Sequence, residues 1–476
     1  MAVELSACLL PSRLLVLLGV LVLSPVSVPQ LDSALPRSSI AVKDLARLEK
    51  DVNAFFDAFL VDDRLKQLSS VEALEKAYVR LAQRAKVETP LAMLGDWELI
   101  LQLSKPEVRE LKGAPGKGFQ RYTFADTEDG TNVVTLVSLP AGYGKPDKLF
   151  PVVIGLKPNL ALQGEELEKA VRATCATAYA GVTENAIVLV PLGKETGKGR
   201  AAVLAEPVGS WLVLENLVTL LLGSLRLTVE QLAYDRSSVI LDGWGDAGMD
   251  ALELASAFPA VFAGVVSRSG PLTSESLPWS NLATVPILYL DGQEDGRGAD
   301  AAGFAARSDL EVTLLEDRGL ALAPSTETSA ALAEWILSRH RSLAPTELSQ
   351  AFASTSFNQC GWIRADDIAR RATVKVGDPD YPRLEARADR ASNTITVTTV
   401  NILGVRLFLS DALVDLDRPV SIIVNGTDRG SRVYPRSLAF MLENRFMNYS
   451  GDDGLYVAEV VVSEIDRNVP AGGDGG

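Results

Sequence analysis

Histidine occurs once in this chain of 476 residues, at His340. That scarcity excludes metal centres built from several imidazoles and leaves any proton relay a single ring to draw on. Cysteine is nearly as rare, with Cys8, Cys175 and Cys360 making up the three. There is no Cys-x-x-Cys pair and no Cys/His cluster, so no metal is expected. Cys8 lies in the leader described below, which leaves Cys175 and Cys360 for at most one disulfide after export, with their separation open. Basic residues are outnumbered, 46 Lys and Arg against 61 Asp and Glu, for a net charge of -15. Binding to a phosphate backbone needs clustered positive charge, so nucleic acid is not an expected partner. Long apolar runs are missing beyond the N-terminus. A membrane helix takes about 20 such residues, so no span is expected once the leader is removed.

What is present suits a packed protein. The hydrophobic set reaches 47% and charged residues 22%, enough to build a core, and at about 150 residues per domain the length suggests about three domains. Leu14 to Leu23 (LLVLLGVLVL) follows Arg13 and is too short to span a bilayer, so residues 1–28 read as a secretory signal peptide. Cleavage falls near Val28 or after Ser33-Ala34; the alternative is an uncleaved anchor. The mature protein is expected in a periplasmic or extracellular setting.

Residues 37–112 carry a helical pattern. Leu45, Leu48, Val52, Phe55, Phe56 and Phe59 recur at three- and four-residue steps, and Ser70 opens a second helical run. KGAPGKG, Lys112 to Gly118, reads as a linker. From 118 to 345 short apolar strands such as Pro151–Leu156, Ala186–Pro191, Ser238–Leu241, Phe262–Ser267 and Pro286–Leu290 alternate with helical stretches, including Trp211–Leu225. That alternation predicts an α/β domain with a mostly parallel sheet and helices on both faces. Residues 352–466 change character: Asn393–Thr399 alternates with period two, and Asn425-Gly426 is a hairpin turn. A β-sandwich-like domain is expected there, followed by a disordered tail over 467–476.

Tyr234 to Gly270 reads YDRSSVILDGWGDAGMDALELASAFPAVFAGVVSRSG. This segment resembles the nucleophile-elbow region of secreted esterases of the α/β-hydrolase superfamily, of the polyhydroxybutyrate depolymerase and feruloyl esterase type. Counting back from Pro259 with the family's spacing gives Gly243-Trp244-Gly245-Asp246-Ala247 where those enzymes have G-x-S-x-G. The serine slot therefore holds Gly245. Gly155-Leu156-Lys157 stands where the family has the His-Gly-Gly of the oxyanion loop. Asp295, in Ile287–Asp295, matches the family's acid, and the slot for the catalytic histidine falls at or near Leu320. The resemblance covers residues 118 to 342. Asn393 to Asn425 also resembles a β module found beside such hydrolase domains in exported planctomycete-type proteins.

The resemblance implies an α/β-hydrolase fold with a degenerate site. Acyl transfer needs a nucleophile and a base; Gly245 and Leu320 offer neither, and losing one costs on the order of a millionfold in a triad enzyme. Glycine at the elbow also relieves backbone strain. The expectation is a non-catalytic, esterase-like pseudoenzyme without a cofactor that binds an unidentified ligand or an envelope component. Trp244, Gly155 and Leu156 are candidate pocket residues, with Tyr143 beside them. Two alternatives stay open. Asp246 is a possible nucleophile of an esterase or dehalogenase, in a frame shifted by one residue. The β domain is a possible carbohydrate or cell-envelope binder, with Trp362, Tyr381, Tyr434 and Tyr456 as its aromatics. Glu294, Asp295 and Asp300, or Asp452 and Asp453, read as solvated acidic loops rather than calcium ligands.

Overall fold

The computed structural model describes residues 38, 40–103, 115–125, 132–144, 148–157, 162, 164–195, 232, 234–272, 277–292, 298–317, 323–352, 358–369, 374–447 and 454–465. The leader, the helix expected at Trp211–Leu225 and the C-terminal tail lie outside these residues. So do Asp295 and Leu320.

Four helices come first: α1 Val42–Leu45, α2 Glu49–Leu60, α3 Arg64–Arg84 and α4 Leu94–Leu103. The second long helix starts at Arg64 and not at Ser70. The reason is Asp63, whose carboxylate accepts the Lys66 N–H at 3.1 Å and caps the helix. Leu45, Leu48, Val52 and Phe55 are buried, as their spacing demands.

The central unit is an eight-stranded sheet in the order β1-β2-β4-β3-β5-β6-β7-β8. Its strands are β1 Gln120–Ala125, β2 Asn132–Ser138, β3 Val152–Leu156, β4 Ile187–Glu195, β5 Val239–Trp244, β6 Gly264–Arg268, β7 Ile287–Gly292 and β8 Val312–Asp317. β2 runs against β1 and β4, while β4, β3, β5, β6, β7 and β8 are successively parallel. Helices α5 Gly164–Ala178, α6 Ala247–Ala257, α7 Gly298–Ala305 and α8 Thr326–Ser338 connect and cover it. Alternate residues feed two cores. Ile154, Leu241, Val265 and Ile287 face one, and Val153, Ile240, Val266 and Leu288 the other. Burial on both faces explains why these strands are apolar at nearly every position. This is an α/β-hydrolase-type fold.

Two further sheets follow. One holds β10 Gln359–Cys360, β11 Ile363–Ile368, β14 Ile402–Leu409 and β17 Ala458–Val462; the other holds β16 Thr427–Arg432, β15 Val420–Val424, β13 Thr394–Val400, β12 Arg383–Asp389 and β9 Glu347–Ala351. Helix α9, Leu438–Met447, packs with them. The β15–β16 hairpin turns on Asn425 and Gly426, at φ 50° and 75°, the paired positive values of a two-residue turn.

The core of these sheets does not follow chain order. Phe55, Tyr78 and Trp97 from the N-terminal helices belong to the same buried cluster as Trp362, Leu384, Ile395 and Tyr456. The helical layer and the two sheets therefore close on one another, with the α/β unit inserted between them in sequence. Buried Arg236 pairs with buried Glu98, tying that unit to α4. Cys175 lies in the α/β core and Cys360 in the shared core; both are free thiols, so the two do not pair.

Candidate functional site

β5 ends at Trp244, the chain turns through Gly245 and Asp246, and α6 begins at Ala247. Gly245 has φ +57°, the left-handed region that glycine enters without a Cβ penalty. Asp246 has returned to helical geometry, at φ -59° and ψ -30°. A Cβ on Gly243 would lie 2.1 Å from the Ala247 carbonyl oxygen, so that residue must be glycine for the turn to close. The turn is held from both sides: Gly245 N–H donates to Arg268 O at 2.8 Å, and Gly248 N–H to Gly245 O at 2.8 Å. Gly245 is thus the residue at the apex, and it offers no nucleophilic atom. Asp246, one position later, is exposed.

His340 is nowhere near this turn. It follows α8 and meets the segment that leads into β5 from the other end. Its Nδ1 lies 3.1 Å from Ser237 Oγ and 3.5 Å from Asp235 Oδ2. Ser237 Oγ also donates to Asp235 Oδ1 at 2.7 Å. Serine, histidine and aspartate do meet here, but not as a relay. A relay places base and acid contacts on opposite ring nitrogens, and here both fall on Nδ1. The six residues of β5, at about 3.3 Å each, put about 20 Å between this cluster and the turn.

The pocket candidates go elsewhere. Trp244 is 1% exposed, and its Nε1–H donates to the Tyr179 hydroxyl at 3.2 Å. Gly155 is small for a related reason: a Cβ there would lie 2.3 Å from the same hydroxyl oxygen. Leu156 is buried in the core on the opposite face of the sheet. Trp244 and Gly155 therefore pack around Tyr179 on the connection out of α5, while Leu156 packs in the other core. Tyr143 is only partly buried and packs against the same core as Leu156.

Sequence reasoning missed the charged centre under this edge. Asp242 and Arg268 are both fully buried. Arg268 Nη2–H donates to Asp242 Oδ2 at 2.7 Å and Nε–H to Oδ1 at 3.0 Å. The guanidinium also stands 5.2 Å from the Tyr179 ring centroid. Burial drives the Tyr179 hydroxyl far above its ordinary pKa, with Asp242 adding to the effect. Burial likewise pushes the nearby Cys175 thiol up to about 12, so it stays protonated. A clue was legible, since Asp242 and Arg268 are the one charged residue in each of two buried strands.

Two half-buried groups flank the turn. Burial pushes the Asp250 carboxyl up to about 6, helped by the charges of Glu253 and Asp246. Burial alone pulls the Lys157 ammonium below the ordinary lysine value. In the β domain, Trp362, Tyr434 and Tyr456 are buried, so they do not form an exposed aromatic platform. Among the described residues no group of three or more His, Cys, Asp or Glu is placed to hold a metal, and no helix is long and apolar enough to cross a membrane.

No family model and no curated protein matches this chain. Solved structures do. A thermostable esterase is similar at 18% identity and a TM-score of 0.36, over 47% of this chain and 63% of that one, so this chain spans under two thirds of its length. A ferulic acid esterase is similar at 13% and 0.33, over 46% and 96%. Dienelactone hydrolase from Anabaena variabilis ATCC 29413 is similar at 16% and 0.32, over 47% and 99%.

Proposed function

We propose that this chain is an exported, hydrolase-like protein that binds a ligand or an envelope component and does not hydrolyse esters. One observation carries the reading: the apex of the turn is a glycine at φ +57°, while the chain's one histidine stands at the opposite end of β5. A triad enzyme without either group loses on the order of a millionfold in rate. Export is supported by the apolar run Leu14–Leu23 behind Arg13.

The position of Asp246 weighs against its use as a nucleophile. It sits one residue past the apex, in helical geometry, and no imidazole is in reach to activate water for a second step. The test is turnover of p-nitrophenyl acetate and of a haloacid by the purified chain, with Asp246→Ala beside it. The expected result is no turnover above buffer for either protein. Sustained hydrolysis that Asp246→Ala abolishes overturns the reading.

A further inference from the structure

Ser38 is tied to the helical layer by a single buried carboxylate. Its backbone N–H donates to Asp96 Oδ1 at 3.3 Å, and its hydroxyl donates to Asp96 Oδ2. The Tyr78 hydroxyl donates to the same Oδ2 at 2.8 Å. Asp96 is 3% exposed and lies in the first turn of α4, while Tyr78 comes from α3. All three donors are neutral, and among the described residues no Lys, Arg or His pairs with Asp96. A carboxylate withdrawn from water is stabilised by a cation far more than by neutral donors. The nitrogen beside Asp96 Oδ1 is half of a peptide bond, and its other half is Arg37, which lies outside the described residues. The local sequence is Leu35-Pro36-Arg37-Ser38. Serine proteases with an acidic specificity pocket cut after such an arginine, and the proposed export would bring the chain to where such proteases work.

We propose that the Arg37–Ser38 bond is a maturation site for an arginine-specific serine protease, and that the α-ammonium released on Ser38 pairs with Asp96. Hydrolysis adds one water across the amide. Arg37 keeps the acyl carbon as a carboxylate, and the Ser38 nitrogen leaves as an amine that takes up a proton. Nothing is oxidised or reduced. The new cation stands where the amide N–H stood, already within reach of Oδ1, and offers three hydrogens in place of one. The pair locks the new N-terminus to α3 and α4. Glu98, two residues along α4, holds Arg236 of the α/β unit, so the cut end is tied to the helix that joins the two parts of the molecule.

The experiment treats the full chain with thrombin, which cuts after Pro-Arg. Pro-Arg occurs twice more, at Pro382-Arg383 and Pro435-Arg436. Arg383 is paired on both sides within its sheet, and the Arg436 side chain is 11% exposed and bound to Asp411, so the folded chain shields both. N-terminal sequencing should find Ser38 as the new first residue. The unfolding midpoint at pH 6.5 should rise by about 2 °C or more on cutting. A paired ammonium holds its proton more tightly than the unfolded α-amino group, which titrates at about 7.7–8.0. The gain is therefore whole below that range and should be lost as pH climbs toward about 10. Asp96→Asn should be cut at the same bond and gain nothing. Three results overturn the proposal: a bond that resists the protease, a midpoint that does not rise on cutting, and a rise that persists unchanged at pH 10 or in Asp96→Asn. The pH series on the parent chain decides the matter even where Asp96→Asn does not fold.

Discussion

Asn281 binds the backbone of Ala351 with both ends of its amide: Nδ2–H donates to Ala351 O at 2.8 Å, and Ala351 N–H donates to Oδ1 at 2.7 Å. The side chain stands in for a strand neighbour at the start of the C-terminal sheets. Nδ2 also donates to Ser256 O at 3.0 Å, so one buried amide joins α6, the short turn Trp279–Leu282 and β9. Asn281→Leu strands all three backbone groups at about 1 kcal/mol or more each. A loss of about 3 kcal/mol in urea-unfolding free energy is expected; a change below about 0.5 kcal/mol would show that water replaces the amide.

The two glycines of the turn should behave differently. Gly243→Ala forces a Cβ to 2.1 Å from the Ala247 oxygen, and a loss of about 3 kcal/mol is expected. Gly245→Ser puts a side chain at φ +57°, and about 1 kcal/mol is expected. That serine should remain inert toward p-nitrophenyl acetate, because His340 stands beyond the far end of β5. Multiple turnovers by the Gly245→Ser protein would mean that a base other than His340 serves the site.

The Asp242–Arg268 pair is fully buried, where breaking one partner is far worse than replacing both. Asp242→Leu alone should cost about 3–5 kcal/mol by leaving a buried guanidinium uncompensated. Asp242→Leu with Arg268→Met should recover most of that loss. A double-mutant cycle in denaturant measures the coupling, and simple additivity would refute it.

Asp250 makes stability fall as pH rises. Its carboxyl titrates near 6 in the folded chain against about 3.9 unfolded. The folded state therefore holds the proton more tightly. The contribution is whole below about pH 4 and is lost as pH climbs through about 6, on the order of 2–3 kcal/mol in all. Asp250→Asn should be more stable than the parent at pH 8 and no better at pH 4, as read by unfolding midpoints across pH. A gain that is the same at both pH values would assign the effect to packing instead.

The α/β fold was readable because burial on both faces leaves nothing but apolar strands, and runs such as Val152–Leu156 carry that mark without ambiguity. The turn was readable because Gly243 and Gly245 meet backbone demands that other side chains meet only under strain. Other features were not. The cap at Asp63 stands next to a second acid, Asp62, and nothing local tells which of the two opens the helix. The edge strand β9, ELSQA, has little apolar signal because only Gln350 in it is buried. Trp244 read as a pocket wall because nothing local shows that Tyr179, 65 residues away, covers it. The Arg236–Glu98 and Asp242–Arg268 pairs are likewise long-range matches, invisible until the topology is known.

The closure of the first helices onto the last sheets has a cost during synthesis. The ribosome finishes α4 at Leu103 and starts β9 at Glu347. At about 5–20 residues per second, the intervening 243 residues take about 12–50 s. Through that interval Phe55, Tyr78 and Trp97 lack the sheets that cover them in the finished fold.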